Sequence, residues 1–315
     1  FNLLYSDINL LIDNIEKSKD KFHDDYVEKI NSIFLNSGFN FTLKENNNSK
    51  IFLIHKNDKS NETFYTKNFF NIQKNSKLIL IEKFNDEIPS NSNIINFFNL
   101  EEGSELIHLV IQNNCKDSSL QFTSYSNCEK DSKLNQLIFN CNDSSSRNHH
   151  YVSLIGESSQ ANLKGLFFGK NNQIIDNKTV INHLNLASSS NQTYKGILTD
   201  KSSASYLSKT FVDKIAQKTD GYQLSKGILL SNDAIFFSKP ELKIYADDVK
   251  CSHGSTIGPF NKDEIFYLQS RGLSEKKART LLIGSFCQDF IKSSYEGVYI
   301  DEVKKIIDNW LENNA

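Results

Sequence analysis

Between residues 51 and 250 the chain is a succession of short apolar or alternating runs. IFLIH, KLILIEKF, ELIHLVIQ, QLIFNC, YVSLIG, ANLKGLFF, KTVINHL, SYLSKTFV and ELKIYA are examples, separated by Asn, Asp, Ser and Gly. Alternation sends successive side chains to opposite faces of a strand, and turn-forming residues punctuate the runs, so each reads as a β-strand. No helix-length periodicity interrupts them for about 200 residues. That is too many strands for one small sandwich. A recurrence of about 10 to 15 residues suits repetitive β stacking, either a β-helix or two sandwiches. A solenoid also gives the abundant Asn and Ser a place at turns, and predicts an amide-and-hydroxyl surface with little charge.

Both ends read differently. Within residues 2–36, Val27, Ile30, Ile33 and Phe34 stand at helical spacing between charged residues, the pattern of one or two amphipathic helices. KENNNSK (44–50) then breaks the pattern and is expected to be a loop at a domain boundary. At the other end, Asn261 is placed to cap a helix carrying Ile265, Phe266 and Leu268, with Glu264 as its capping-box acid and Gly272 closing it. A second helix from Ser274 carries a stripe of Ala278, Leu281, Leu282, Phe286 and Phe290. A third, near 301–313, carries Val303, Ile306, Ile307, Trp310 and Leu311. The expected division is therefore a helical segment over 1–45, a β core over 46–258 and a helical subdomain over 259–315. The last should pack on the β body, on a partner, or on both.

Charge and cysteine content narrow the class. Lys and Arg total 36 against 38 Asp and Glu, a formal charge of -2, without the basic footprint of a nucleic-acid binder. No apolar run reaches the roughly 18 to 20 residues of a membrane span, and no signal-peptide pattern opens the chain. The five cysteines, 115, 128, 141, 251 and 287, are odd in number and form no CxxC. Reduced thiols in a soluble, intracellular protein are expected.

The segment IYADDVKCSHGSTIG (244–258) places Cys251 two residues before His253. Thiolate and imidazole are common ligands for iron and zinc, and side chains two apart on a strand share a face. Two ligands do not close a metal site, so the plainer alternative is a buried Cys and a hydrogen-bonded His. If Leu242, Ile244 and Ala246 face the core, Cys251 and His253 carry the opposite parity unless the Asp247-Asp248 segment bulges. Asp247-Asp248 itself reads as a turn or solvated edge rather than a glycan-cleaving pair, because adjacent strand residues diverge. His149-His150 reads as an exposed loop, and Cys287 as a small core hydrophobe, as do Cys115, Cys128 and Cys141. GLFFGKN (165–171) superficially resembles a phosphate loop but lacks one spacer and has Asn171 where Ser or Thr would bind magnesium. GxGxxG, GxSxG and HExxH do not occur.

The stretch YADDVKCSHGSTIGPFNKDEIFYLQSRGLSEKKARTLLIGSFCQDFI (245–291) closely resembles the signature of the SufB/SufD family of iron–sulfur cluster assembly proteins. The likeness extends upstream through KIAQKTDGYQLSKGILLS, SSNQTYKGIL and IIDNKTVINH, and covers most of 65–295. The Lys-Cys-Ser-His-Gly form is similar to the SufD branch. The resemblance implies a right-handed parallel β-helix between helical ends, in a non-catalytic scaffold subunit of the SUF complex. Its implied partners are SufB, through the β-helix, and the SufC ATPase, through the C-terminal helices; the isolated chain is expected to homodimerise. His253, together with Cys251, is implied to help hold a nascent cluster at the SufB–SufD interface. The implied cofactors are none bound tightly in isolation, a transient Fe–S cluster in the complex, and a flavin there as an open option. A bacterial cytoplasm, or alternatively a plastid stroma, is the implied location. Removal of residues 260–315 is expected to leave a soluble β-helix. The competing readings are an intracellular β-helix enzyme acting on carbohydrate, and a structural pseudo-subunit that stabilises SufB without supplying a ligand.

Overall fold

The computed structural model describes residues 26–55, 62–84, 91–113, 118–293 and 297–314. Sixteen strands follow a short helix α1 (Tyr26–Ile33): β1 (Ser37–Leu43), β2 (Asn48–His55), β3 (Thr63–Ile72), β4 (Lys77–Phe84), β5 (Asn91–Leu100), β6 (Glu105–Gln112), β7 (Ser119–Cys128), β8 (Lys133–Asn140), β9 (Ser145–Leu154), β10 (Gln160–Gly169), β11 (Ile174–His183), β12 (Ser189–Leu198), β13 (Ser203–Val212), β14 (Thr219–Leu229), β15 (Ile235–Ile244) and β16 (Val249–Gly258). The odd strands form one eight-stranded sheet in sequence order and the even strands another. All the strand pairings are parallel, as in Thr63 beside Asn91 and Gln160 beside Ser189. Each odd–even pair is one coil of a parallel β-solenoid, the β-helix expected from the sequence.

The coil repeats because one turn repeats. The seven connections from β1–β2 to β13–β14 place a residue of positive φ at the same point: Asn46, Asn75, Gly103, Asp131, Ser158, Ala187 and Lys218, with φ between 54° and 68°. Each donates its amide to the next coil, as Asn75 does to the Glu102 carbonyl and Lys218 to that of Asp248. In five of the seven turns the following Ser or Thr donates its hydroxyl to the carbonyl three residues back, at 2.7 Å for Ser104, Ser132 and Ser159, 2.8 Å for Thr219 and 3.2 Å for Ser188. The left-handed conformation costs about 1 to 2 kcal/mol for Ala187 or Lys218. Two hydrogen bonds per turn, each worth about 1 kcal/mol, offset that cost. KENNNSK is the first of these turns. It joins β1 to β2 inside the first coil, so the boundary expected at residue 45 cuts a coil.

Between the sheets, apolar layers such as Leu78, Leu80, Phe98, Leu134, Val152 and Leu163 alternate with polar side chains. Many amides and hydroxyls expected on the surface are instead buried here, including Asn96, Ser124, Gln136, Thr179, Gln192 and Gln223. His149-His150, expected in an exposed loop, lies within β9. His150 points inward and is fully buried, with Nδ1 2.8 Å from Ser124 Oγ. His149 lies on the other face, 2.7 Å from Asp176 Oδ2.

The C-terminal helices are α2 (Lys262–Ser270), α3 (Glu275–Ser293) and α4 (Gly297–Asn314). Asn261 caps α2 as expected, accepting from the Asp263 amide at 2.9 Å. Ile283, Cys287 and Phe290 of α3 and Val303, Ile307, Trp310 and Leu311 of α4 pack on the outer face of the even sheet, against Ile81, Leu109, Leu137, Phe139, Leu166, Phe168 and Ile197. Leu281, expected in the buried stripe, is 53% exposed, because α3 turns the Ile283–Cys287–Phe290 edge to the sheet. At about 1.5 to 3 kcal/mol per buried side chain, this contact contributes on the order of 10 kcal/mol. The helices are thus part of the core, which argues against the expectation that removal of 260–315 leaves a soluble β-helix.

Helix α1 also reverses its expected face. Ile30, Ile33 and Phe34 are exposed, while Asn31 is fully buried on the odd sheet, donating to the Asn93 carbonyl at 2.7 Å. Buried Lys67 donates to Ser32 Oγ at 2.7 Å and lies 3.7 Å from Glu28. The rest of the expected N-terminal helical segment, residues 1–25, and Cys115 lie outside the described residues.

Candidate functional site

Cys251 and His253 lie in β16, the last strand of the even sheet. Inward positions on this sheet follow from the register. Leu163 stands beside Gln192, Gln192 beside Gln223, and Gln223 beside His253; Ser190 stands beside Gly221, and Gly221 beside Cys251. Cys251 and His253 therefore carry inward parity, as do Leu242 and Ile244 of β15, which stand beside Thr210 and Val212. Opposite parity was expected from an unbroken strand. The connection at 245–248 shifts the phase by one residue: Ala246 still turns inward, at 8% exposure, and the alternation restarts at Val249.

Inward parity does not bury the pair, because no further strand stacks on β15 or β16 among the described residues. His253 is exposed and Cys251 half-buried. Cys251 packs against the cluster of Val212, Ala216 and Ala246, as Val249 does. Burial, and to a lesser degree the Asp220 carboxylate, holds the thiol above its ordinary range, against an opposing contribution from the Gly221 backbone. Cys128, Cys141 and Cys287 are buried, and burial pushes their thiols up to about 12. Cys251 is the accessible thiol among the described residues.

Beneath the pair lies a network that the sequence reading did not single out. Gln223 donates to Thr210 Oγ1 at 2.7 Å and accepts from Ser208 at 3.2 Å. Gln192 donates to the same Thr210 hydroxyl at 2.9 Å and accepts from Thr179 at 2.5 Å. Every one of these side chains is buried, so a floor of fixed amides and hydroxyls underlies the open coil. The signal for it was the spacing of about 30 residues that places Gln192, Gln223 and His253 in one column.

Farther down the solenoid, the fully buried Glu82 carboxylate lies 3.2 Å from His108 Nε2 and 3.1 Å from His55 Nε2, and accepts from Asn96 Nδ2 at 2.5 Å. Burial acts against its charge, but hydrogen bonds from His108 and His55 outweigh it and lower its pKa to about 2. His108 Nδ1 is bonded to Gln136 at 3.0 Å, which donates to Ser124 at 3.2 Å. These side chains hold one another through hydrogen bonds, the arrangement of a structural network.

Chemically, Cys251 and His253 supply one soft and one borderline donor on one face, about 7 Å apart along the strand. No group of three or more His, Cys, Asp or Glu able to hold a metal ion occurs among the described residues. The Asp247-Asp248 pair sits in the β15–β16 turn, where Asp248 takes hydrogen bonds through its backbone. GLFFGKN spans the end of β10, with Gly165 packed under the Tyr194 ring rather than at a phosphate.

Residues 52–286 match the family model for the SUF system FeS cluster assembly SufBD core domain. The chain is 35% identical over 147 residues to the iron–sulfur cluster assembly protein SufD of Escherichia coli, a match covering 47% of this chain and 35% of that protein. It is 52% identical over 64 residues to a SufBD family protein of Synechocystis, covering 20% of this chain and 14% of the relative. It is 46% identical over 65 residues to the chloroplastic protein ABCI7 of Arabidopsis thaliana, covering 21% and 14%. These matches span about a third or less of each relative's length. With the core model spanning well over half of its residues, the chain belongs to the SufBD family of iron–sulfur cluster assembly proteins.

Proposed function

We propose that this chain is a SufD-like scaffold subunit of the SUF complex, pairing with SufB and SufC, whose open final coil contributes to a nascent cluster. The observation that carries the reading is the placement of Cys251 and His253 on the inward face of a coil on which no strand stacks among the described residues, within the family core. A second solenoid stacking on β15 and β16 would pair their free backbone edges and bring its own ligands over the pair. Two donors here then suffice, since a thiolate from SufB completes the set. The Fe–S cluster is cargo assembled at that interface, and His253 is its principal ligand from this chain. The isolated chain homodimerises through the same edge. ATP hydrolysis belongs to SufC, which docks on the groove of Asp263, Glu264, Tyr267, Leu268, Leu281 and Leu282 between α2 and α3. No helix among the described residues is long and apolar enough to cross a membrane. The similarity to bacterial and chloroplastic relatives supports a bacterial cytoplasm or plastid stroma.

The test is co-purification of the complex carrying His253→Ala or Cys251→Ser, with iron and sulfide measured per folded complex. Because His253 is exposed and stacks under no further coil, its removal should leave the melting temperature within a few degrees of wild type and sharply reduce cluster content. Cys251→Ser should have the smaller effect on cluster content. Full iron and sulfide in a well-folded His253→Ala complex refutes the assignment.

A further inference from the structure

We propose that Gly221 is a positioning residue that seats the Cys251 thiol on the inward face it shares with His253. Three groups surround the point where a side chain at Gly221 would begin: Cys251 Sγ at 3.3 Å, the Thr210 methyl at 3.6 Å and Ser190 Oγ at 3.7 Å. Two of the three are fixed. Thr210 takes hydrogen bonds from Gln192 and Gln223 through its hydroxyl, and Ser190 Oγ lies 2.8 Å from the Nε2 of buried His183. Cys251 alone borders the open end, so an added methyl must push the sulfur aside by a few tenths of an ångström. Gly221 has no left-handed φ, so alanine there meets crowding rather than backbone strain.

Gly254, which directly follows His253 in β16, provides the control. Its added methyl would meet only Leu224 Cδ1 at an ordinary 3.5 Å.

The inference refines the cluster-site reading, but its first test does not depend on it. The isolated full-length protein is treated with iodoacetamide at fixed pH, and modification at Cys251 is followed by peptide mass. Gly221→Ala should change the Cys251 rate by roughly threefold or more, as the sulfur is pushed off its seat; Gly254→Ala should not. A double-mutant comparison covers a variant that folds poorly: any melting temperature lost by Gly221→Ala should be regained in Cys251→Ala/Gly221→Ala, where no sulfur stands against the methyl. A wild-type alkylation rate in Gly221→Ala, or a loss of stability that Cys251→Ala does not relieve, overturns the seat. In the complex, Gly221→Ala should lower iron content as Cys251→Ser does. If Cys251→Ser retains full iron and sulfide, the thiol's part in the cluster fails, while the alkylation rates still decide whether Gly221 positions it.

Discussion

Gly165→Ala tests whether the interior is packed as described. An alanine methyl there would lie 2.3 Å from both Cδ1 and Cε1 of Tyr194 and 2.9 Å from Cζ, whereas carbon atoms rest about 3.5 to 4.0 Å apart. The ring cannot retreat. Tyr194 is 1% exposed and stacks on Tyr206 with 4.2 Å between centroids. Overpacking of this kind costs about 1 to 3 kcal/mol, and three rigid ring carbons place this site at the upper end. Stiffening the unfolded chain returns about 0.4 to 1 kcal/mol, leaving a net loss of about 2 kcal/mol, or some thirtyfold in the folded-to-unfolded ratio. Urea unfolding followed by circular dichroism reads the change as a lower midpoint. Gly258→Ala, with nothing within 4 Å of the added carbon, should stay within about 0.5 kcal/mol of wild type. Tyr194→Leu in the Gly165→Ala background should recover part of the loss. Equal midpoints for Gly165→Ala and Gly258→Ala would show that the Gly–aromatic packing of the inner column is not as described.

Acid should destabilise the fold in two windows. His183, buried and flanked by Ser188 and Ser190, has its pKa lowered by burial to about 4, so the unfolded chain binds its proton more readily as pH falls from 6.5 to 4. Glu82 is held at about 2 against an ordinary 4.5, so its stabilisation is present above 4.5 and disappears as pH falls toward 2. Each contributes on the order of 3 kcal/mol across its window. Thermal melts from pH 7 to pH 3 should show His183→Gln flattening the upper part and Glu82→Gln the lower; curves parallel to wild type refute the linkage. At the α2–α3 groove, Tyr267→Ala with Leu281→Asp should abolish SufC co-purification without lowering the melting temperature, because both side chains are more than half exposed. Retained SufC binding places that contact elsewhere. Deletion of 260–315 is the wrong probe, since it uncovers Leu109, Phe139 and Phe168 on the even sheet.

Much of the architecture was legible because strand formation follows a local period of two. The runs from KLILIEKF to ELKIYA all became strands. The coil was legible too, at a longer period than the runs suggested. Asn75-Ser76, Gly103-Ser104, Asp131-Ser132, Ser158-Ser159, Ala187-Ser188 and Lys218-Thr219 mark the same corner 27 to 31 residues apart. Apolar spacing hid this repeat, since each coil holds two strands and the corner residues share a conformation rather than a chemistry. Helical spacing likewise identified α1 but not its buried side, because polar Asn31 and Ser32 meet Asn93 and Lys67 on a partly polar sheet face.

The sequence by itself determined the strands, the corners and the presence of a Cys-Ser-His segment, each of which follows from dihedral preference, side-chain alternation or chemistry within a few residues. Tertiary structure decided what those residues face. The phase of β16 depends on how the connection at 245–248 restarts the alternation, and the exposure of His253 on its strand standing at the edge of the even sheet among the described residues. Gln192, Gln223 and His253 are remote in the chain, yet they form one column because parallel stacking fixes their register through backbone hydrogen bonds between coils. Residues that never meet along the sequence thereby become the floor beneath the candidate site.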